Sequence, residues 1–334
     1  MNPDSRRHFL KTSASLTAMA TASAVMVACG GGDDTPTVVA TKNIVDLAKG
    51  TPELSILVEA VVAANLAGTL SAPGALTVFA PTNAAFAALL TELNVSKEAL
   101  LANKALLTTV LTYHVLGSKV RKAGIPLGKA IDPLLTGTSD FFKIEAIGKD
   151  VVITDGRNRK SNITATDIEA TNGVVHLIDK VILPADRDIV QTALASKPEF
   201  TTLVAALQQA GLVDTLKGAG PFTVFAPTNA AFDALRQELA GAGNAPITVA
   251  ALLASAKLGD ILKYHVLAAR VLKADVPVNT AVGTVLGAAE TISVSAGFVI
   301  TDKKGRTSNI TATDIFNTNG VIHVIDKVIL PSVA

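Results

Sequence analysis

The chain is poor in the residues on which many protein chemistries depend. Its 334 residues include one cysteine, no tryptophan, two tyrosines and three methionines, and aromatics make up only 4%. A single cysteine excludes an internal disulfide framework and a cysteine-based zinc site. Charge of one sign is also missing: 29 basic and 28 acidic side chains leave a net +1, so bulk charge offers nothing to a nucleic acid. Hydrophobic residues make up 49% and charged ones 17%, which excludes a disordered polyelectrolyte. Long apolar runs are absent too. The Ala, Val and Leu content falls in short periodic stretches, none reaching the roughly 18 residues of a membrane span. The length predicts about two domains.

The N-terminus reads as an address. Ser5-Arg6-Arg7-His8-Phe9-Leu10-Lys11 carries the full pattern of a twin-arginine export signal, and the mildly apolar run Leu16 to Ala28 follows. Met26-Val27-Ala28-Cys29 resembles a bacterial lipobox, with Met where Leu is usual. The sole cysteine therefore stands where a lipid-acceptor thiol belongs, and Gly30-Gly31-Gly32-Asp33-Asp34 after it is a flexible tether. Several acyl chains anchor a protein firmly where one binds marginally. Gly30 after the cysteine resembles the sorting pattern for the outer membrane. The expectation is a signal over 1–28, a tether over 29–42, and an exported protein, periplasmic or on the cell surface.

Beyond the tether, one unit is written twice. Thr77 to Phe86 (TVFAPTNAAF) recurs letter for letter as Thr223 to Phe232, and Tyr113 to Leu116 recurs as Tyr264 to Leu267. Ser161 to Pro184 matches Ser308 to Pro331 at 20 of 24 positions. A period this long is a domain duplication, not a solenoid. The copies are expected at 43–184 and 187–334, joined by the short stretch Pro184 to Asp188.

Each copy mixes helix and strand. Leu54, Leu57, Val58, Val61 and Val62 share a helical face, as do Phe200, Leu203, Val204 and Leu207. Thr77 to Ala80 reads as a short strand, and Thr82 is placed to cap a helix beginning at Asn83. After Tyr113 the pattern turns to β: Val151 to Thr154, a turn at Asp155-Gly156, then Asn162 to Thr164. Val174 to Leu183 predicts a long closing strand, apolar on both faces, through a sandwich interior.

Together, TVFAPTNAAF, the Tyr-His pair and NGVVHLIDKVILP resemble the three ordered blocks of the fasciclin (FAS1) domain. The resemblance covers both copies, roughly residues 43 to 331. It implies an α+β fold: two tandem FAS1 domains, each a β-sandwich wedge with helices packed on it. It also implies adhesion or matrix contact, with a protein or polysaccharide of the matrix or envelope as partner. Two hydrogen bonds follow from it, His114 to Asn83 and His265 to Asn229. Asp167-Ile168 and Asp314-Ile315 are similar to an Asp-Ile element of integrin-binding relatives, so these four residues, with Tyr113, His114, Tyr264 and His265, are the partner-binding candidates. The alternative for the Asp positions is a turn-capping carboxylate.

The chemistry points the same way. Beyond the signal, the histidines form repeat-equivalent pairs, His114 with His265 and His176 with His323, and none has metal-ligand spacing. His176 and His323 lie in apolar strands, where a satisfied interior imidazole is the simpler reading. The sequence lacks the nucleophile elbow, the phosphate loop and the dinucleotide fingerprint. Asp167, Asp179, Asp314 and Asp326 are candidate paired carboxylates, with Asp179 and Asp326 simpler as solvated strand ends. Arg157 to Lys160 and Lys303 to Arg306 read as hairpin tips kept soluble by charge. A non-enzyme without cofactor or metal is expected. The competing class is a carrier of a small apolar ligand, held between sheet and helices.

Overall fold

In the computed structural model, residues 40–135, 140–196 and 198–333 are described; Cys29 and the export signal lie outside them. Each repeat builds one seven-stranded sheet and a layer of helices. In the N-terminal copy the strands are β1 Leu76–Pro81, β2 Val115–Leu116, β3 Ala130–Ile131, β4 Phe142–Ile147, β5 Asp150–Thr154, β6 Lys160–Ala170 and β7 Gly173–Ile178. Its helices are α1 Ile44–Lys49, α2 Ser55–Ala63, α3 Ala67–Ser71, α4 Asn83–Leu93, α5 Lys97–Ala102 and α6 Lys104–Tyr113. The C-terminal copy repeats this with β8 Phe222–Pro227, β9 Val266–Leu267, β10 Ala281–Thr284, β11 Gly287–Val294, β12 Val299–Thr301, β13 Thr307–Asn317 and β14 Gly320–Ile325. Its helices are α7 Ile189–Ala195, α8 Thr201–Gln209, α9 Val213–Leu216, α10 Asn229–Ala240, α11 Val249–Leu253 and α12 Leu258–Tyr264.

The sheet order β2-β1-β7-β6-β5-β4-β3 places the first conserved block beside the last, with β1 and β7 parallel. The close approach explains Gly173: a Cβ there would fall on the Leu76 carbonyl, so only glycine fits. Thr82 caps α4 as expected, its side chain accepting the Ala85 N–H. Strand alternation then sorts the core. Val78, Ala80 and Val175 face the helices, whereas Phe79 and Ile178 face Phe142, Tyr113 and Ile153 on the other side.

The wedge is one sheet folded over, and the fold line is in β6. Its register against β7 shifts between Ile163 and Ala165 and again between Ala165 and Ile168. Asp167 sits in this bulge with φ at +59°, and Asp314 repeats it at +58° in β13. Bulges bend a strand and raise its twist, which swings β5, β4 and β3 across the face opposite the helices.

Two details differ from the sequence reading. The closing strand stops at Ile178, because the Asp179 carboxylate accepts the Asn162 N–H and Nδ2 and ends the ladder. Residues 181–183 run on with their backbone held by side chains: Ile182 N–H donates to His114 Nε2 and Leu183 N–H to Asp155. On the first helical face, Leu54 belongs to a preceding 3-10 turn and is fully buried, so α2 starts later and Val62 is 59% exposed.

Candidate partner-binding site

The expected Asn–His pairs do not form. Asn83 accepts the Ile56 N–H and donates to the Pro52 carbonyl and Ser55 Oγ, fastening the start of α4 to the start of α2. Asn229 does the same with Thr202, Pro198 and Thr201. Orphan N–H groups at a helix start need such acceptors. The imidazoles serve a different segment. His114 Nδ1–H donates to the Val110 carbonyl at 2.7 Å, and Nε2 accepts from Ile182. His265 makes the same two bonds with Ile261 and Ile329. Burial drives both pKa values down from 6.5 to about 4, so both rings are neutral near pH 7.

Tyr113 is equally internal. Its hydroxyl donates to the Phe141 carbonyl and accepts the Gly156 N–H, and burial raises its pKa well above 10. Tyr264 repeats the pattern with Thr291 and Lys303, and burial pushes it up to about 12. The Tyr-His pairs are thus structural, out of a partner's reach. Each joins the end of the last helix to the folded-over half of its sheet.

His176 and His323 lock the bulges. Asp167 N–H donates to His176 Nδ1, whose Nε2–H donates to the Val120 carbonyl; His323 holds Asp314 and Val271 identically. The bulge carboxylates are then aimed by one more bond each, Oδ1 accepting the Lys122 N–H in one copy and the Lys273 N–H in the other, both at 2.8 Å. Ile168 and Ile315 pack against the helical cores. An exposed Asp-Ile pair is therefore not what the fold presents, because strand alternation turns the isoleucine inward. Only the carboxylate faces out.

The two bulges differ in what covers them. Asp167 is half-buried, and its Oδ2 makes no hydrogen bond or close ion pair with a described residue, while the nearby Arg121 guanidinium interacts with the carboxylate through charge alone. Asp314 is 4% exposed, and its Oδ2 holds the Lys143 ammonium from the N-terminal copy at 2.7 Å. Around that pair the copies are joined tightly. The Asn158 carboxamide bonds both the N–H and the C=O of Phe316. Phe141 packs on Phe316 with centroids 4.7 Å apart, and Arg270 lies over Phe141 while reaching Asp132. The described residues from 42 to 333 form one compact unit.

The remaining candidates are structural. Asp326 holds Asn309 and Ser308; burial raises its pKa, but those hydrogen bonds outweigh it and the net shift is downward. Asp179 holds Asn162 and Ser161. Neither is a loosely solvated strand end. In the basic turns, Arg159 pairs with Asp155 and Glu92, and Arg306 with Glu238, so these cations brace the hairpins. Among the described residues no three His, Cys, Asp or Glu side chains are grouped to hold a metal ion, and no helix is long and apolar enough to cross a membrane. A cavity of about 130 Å³ lies under α4, α5 and α6, lined by Leu93, Leu106, Val110 and Pro184 with Arg157 among them.

Lys143, Asn158, Phe141 and Phe316 were missed in the sequence. One signal was present: Glu169 against Phe316 is one of four mismatches in an otherwise repeated block of 24 residues.

Two copies of a sheet folded at a histidine-locked bulge define a tandem α+β module whose buried polar groups hold backbone. The fasciclin domain family model matches residues 52–184 and again 198–331. The chain belongs to the fasciclin family. It is 30% identical over 267 residues to the transforming growth factor-beta-induced protein ig-h3 of Sus scrofa, an overlap of 79% of this chain and 36% of that one. Protein sll1483 of Synechocystis is 42% identical over 143 residues, covering 42% of this chain and 73% of its own. A solved FAS1 domain pair from the insect cell adhesion molecule fasciclin I covers 77% of this chain and 88% of its own, at 20% identity and a TM-score of 0.38. The chain spans about a third of the length of the ig-h3 proteins it matches.

Proposed function

We propose that this chain is a non-catalytic adhesion or matrix-contact protein, exported through the twin-arginine route and anchored to the outer membrane by lipid on Cys29. In this reading residues 1–28 are the signal, 29–42 the tether, and 43–184 and 187–334 the two contact domains. The observation that carries it is the use of the shared polar residues. His114, His176, Asn83 and their repeats all bond backbone, and no three metal-ligating side chains are grouped among the described residues. Family membership supports the adhesive role, and the lipobox-like Met26 to Cys29 followed by glycines supports the anchor. The partner is a protein or polysaccharide of the matrix or envelope. Cys29→Ser abolishes palmitate labelling, and deletion of the gene or Cys29→Ala lowers surface attachment. Unchanged attachment in both strains, or labelling that persists, refutes the reading.

A second reading, a carrier of a small apolar ligand, draws on the 130 Å³ cavity, close to the size of engineered cavities that take up benzene. The cavities against His114 and His265 measure about 30 and 20 Å³, room for a water or two only. Mass spectrometry of the chain purified from its own membranes separates the readings: a stoichiometric apolar ligand favours the carrier.

A further inference from the structure

The joint between the copies is built from positions at which the repeats differ. Tyr113 bonds the Phe141 carbonyl and Tyr264 the Thr291 carbonyl, so these two positions correspond. Lys143 pairs with Thr154 across the strands as Ser293 does with Thr301. Asn158 and Gly305 occupy the same place in matching turns, with φ of +62° and +72°. Phe141, Lys143 and Asn158 of the N-terminal copy are therefore Thr291, Ser293 and Gly305 in the C-terminal one. The N-terminal copy carries the plug, and the C-terminal copy carries only its blank.

The seat shows the reverse pattern. Asp314 has its counterpart in Asp167, set in the same bulge, held by the same histidine contact and bonded through the same Oδ1. Phe316 lies opposite Val321 as Glu169 lies opposite Val174. The Phe316 N–H and C=O point away from β14 to the Asn158 carboxamide. The Glu169 N–H and C=O take the same outward direction on β6, and no described group outside the β6–β7 ladder bonds them. The polar anchors of the seat are thus present and unfilled by any described residue in the N-terminal copy, while its apolar cover is replaced. Glu169 stands for Phe316, and its carboxylate is held by Lys119 and Arg121 at 2.6 and 2.7 Å.

We infer that the Asp167 bulge is a second docking seat, taking a turn of a partner protein that presents a lysine ammonium to Asp167 Oδ2 and a carboxamide to the Glu169 backbone. The occupant is a different protein, because a second copy of this chain offers only Ser293 and Gly305. An unpaired strand edge is a ready template for pairing, and a charge-assisted bond to a half-buried carboxylate adds specificity. Without the phenylalanine cover, the contact is held by charge and hydrogen bonds, and so it weakens with salt. The inference deepens the adhesion reading by naming the partner's chemistry and the copy that binds it. It rests on that reading only for the partner's location.

The test needs neither cells nor matrix, so its outcome is separate from that of the attachment experiment. Ser293→Lys with Gly305→Asn in the full chain supplies the polar pair of the plug, the part that the Asp167 seat can receive, and asparagine tolerates the left-handed turn. Sedimentation at low salt then shows concentration-dependent head-to-tail association, while the native chain stays monomeric. Adding Asp167→Asn weakens it by about tenfold or more. The triple variant, which has the plug but a weakened seat, forms chiefly one-to-one complexes with the native chain. Association that ignores Asp167→Asn overturns the proposal, as does a monomeric double variant with a native unfolding transition.

Discussion

Acid is the sharpest perturbation for this fold, since His114 and His265 are buried as neutral rings at the same point of each copy. Their folded pKa of about 4 lies below the ordinary 6.5, so between these values the unfolded chain binds more protons than the folded one. Stability therefore rises with pH across this window and is lost as pH falls from about 6.5 towards 4. At pH 5, a shift of this size costs about 2 kcal/mol per imidazole, so about 4 kcal/mol for the two copies. His323 is also shifted down by burial and adds with the same sign. The comparison of native chain and variant isolates the two imidazoles, because groups common to both contribute equally to both. The assay is urea unfolding of the chain at half-unit steps from pH 7.5 to 4.5. His114→Gln with His265→Gln starts from a lower stability at pH 7, but its decline between pH 7 and 5 is smaller by about 4 kcal/mol. An equal decline in variant and native chain refutes the buried-imidazole account.

Two further predictions concern the contacts that hold helices and copies together. Asn83→Ala lowers stability by about 1–3 kcal/mol through loss of its three bonds to the start of α2. With His114→Gln its effect adds to within about 0.5 kcal/mol, as expected of separate networks; strong coupling in that thermal-unfolding cycle would restore the Asn–His pair. Lys143→Met leaves the buried Asp314 carboxylate without its counter-charge and costs about 3–5 kcal/mol, and adding Asp314→Asn recovers about 2 kcal/mol of it. No recovery in chemical unfolding of the double variant would mean the pair is not the clasp of the joint.

Much of the architecture was legible because its signals are local. Thr82 and Thr228 announce their helices within three residues, and identity around Thr77 to Phe86 forces the same strand and cap in both copies. The interior histidines were legible as satisfied groups for a compositional reason, since an apolar strand on either side leaves an imidazole no solvent. What failed was the choice of partner. His114 reaches Ile182 across 68 residues of chain and Asn83 reaches back to Ile56, and neither distance has a period that a pattern can reveal. The bulge escaped notice for a similar reason. A register shift leaves the alternation of β6 readable but turns Ile168 inward and Asp167 outward, so the adjacent pair could not act as one exposed motif.

The joint escaped for the opposite reason to the fold. Repeated letters mark what both copies need in order to fold: the glycine under the β1 carbonyl, the capped helix, the imidazole clamps. The residues that lock one copy on the other cannot be repeated letters. If Lys143 and Asn158 recurred at 293 and 305, and Phe316 at 169, every chain would carry an unsatisfied plug at one end and a matching seat at the other. Such head-to-tail interfaces extend without closure. Divergence at these positions keeps the joint within a single chain and leaves the Asp167 carboxylate, its Oδ1 anchored to the Lys122 N–H, facing outward from the bulge of the N-terminal copy.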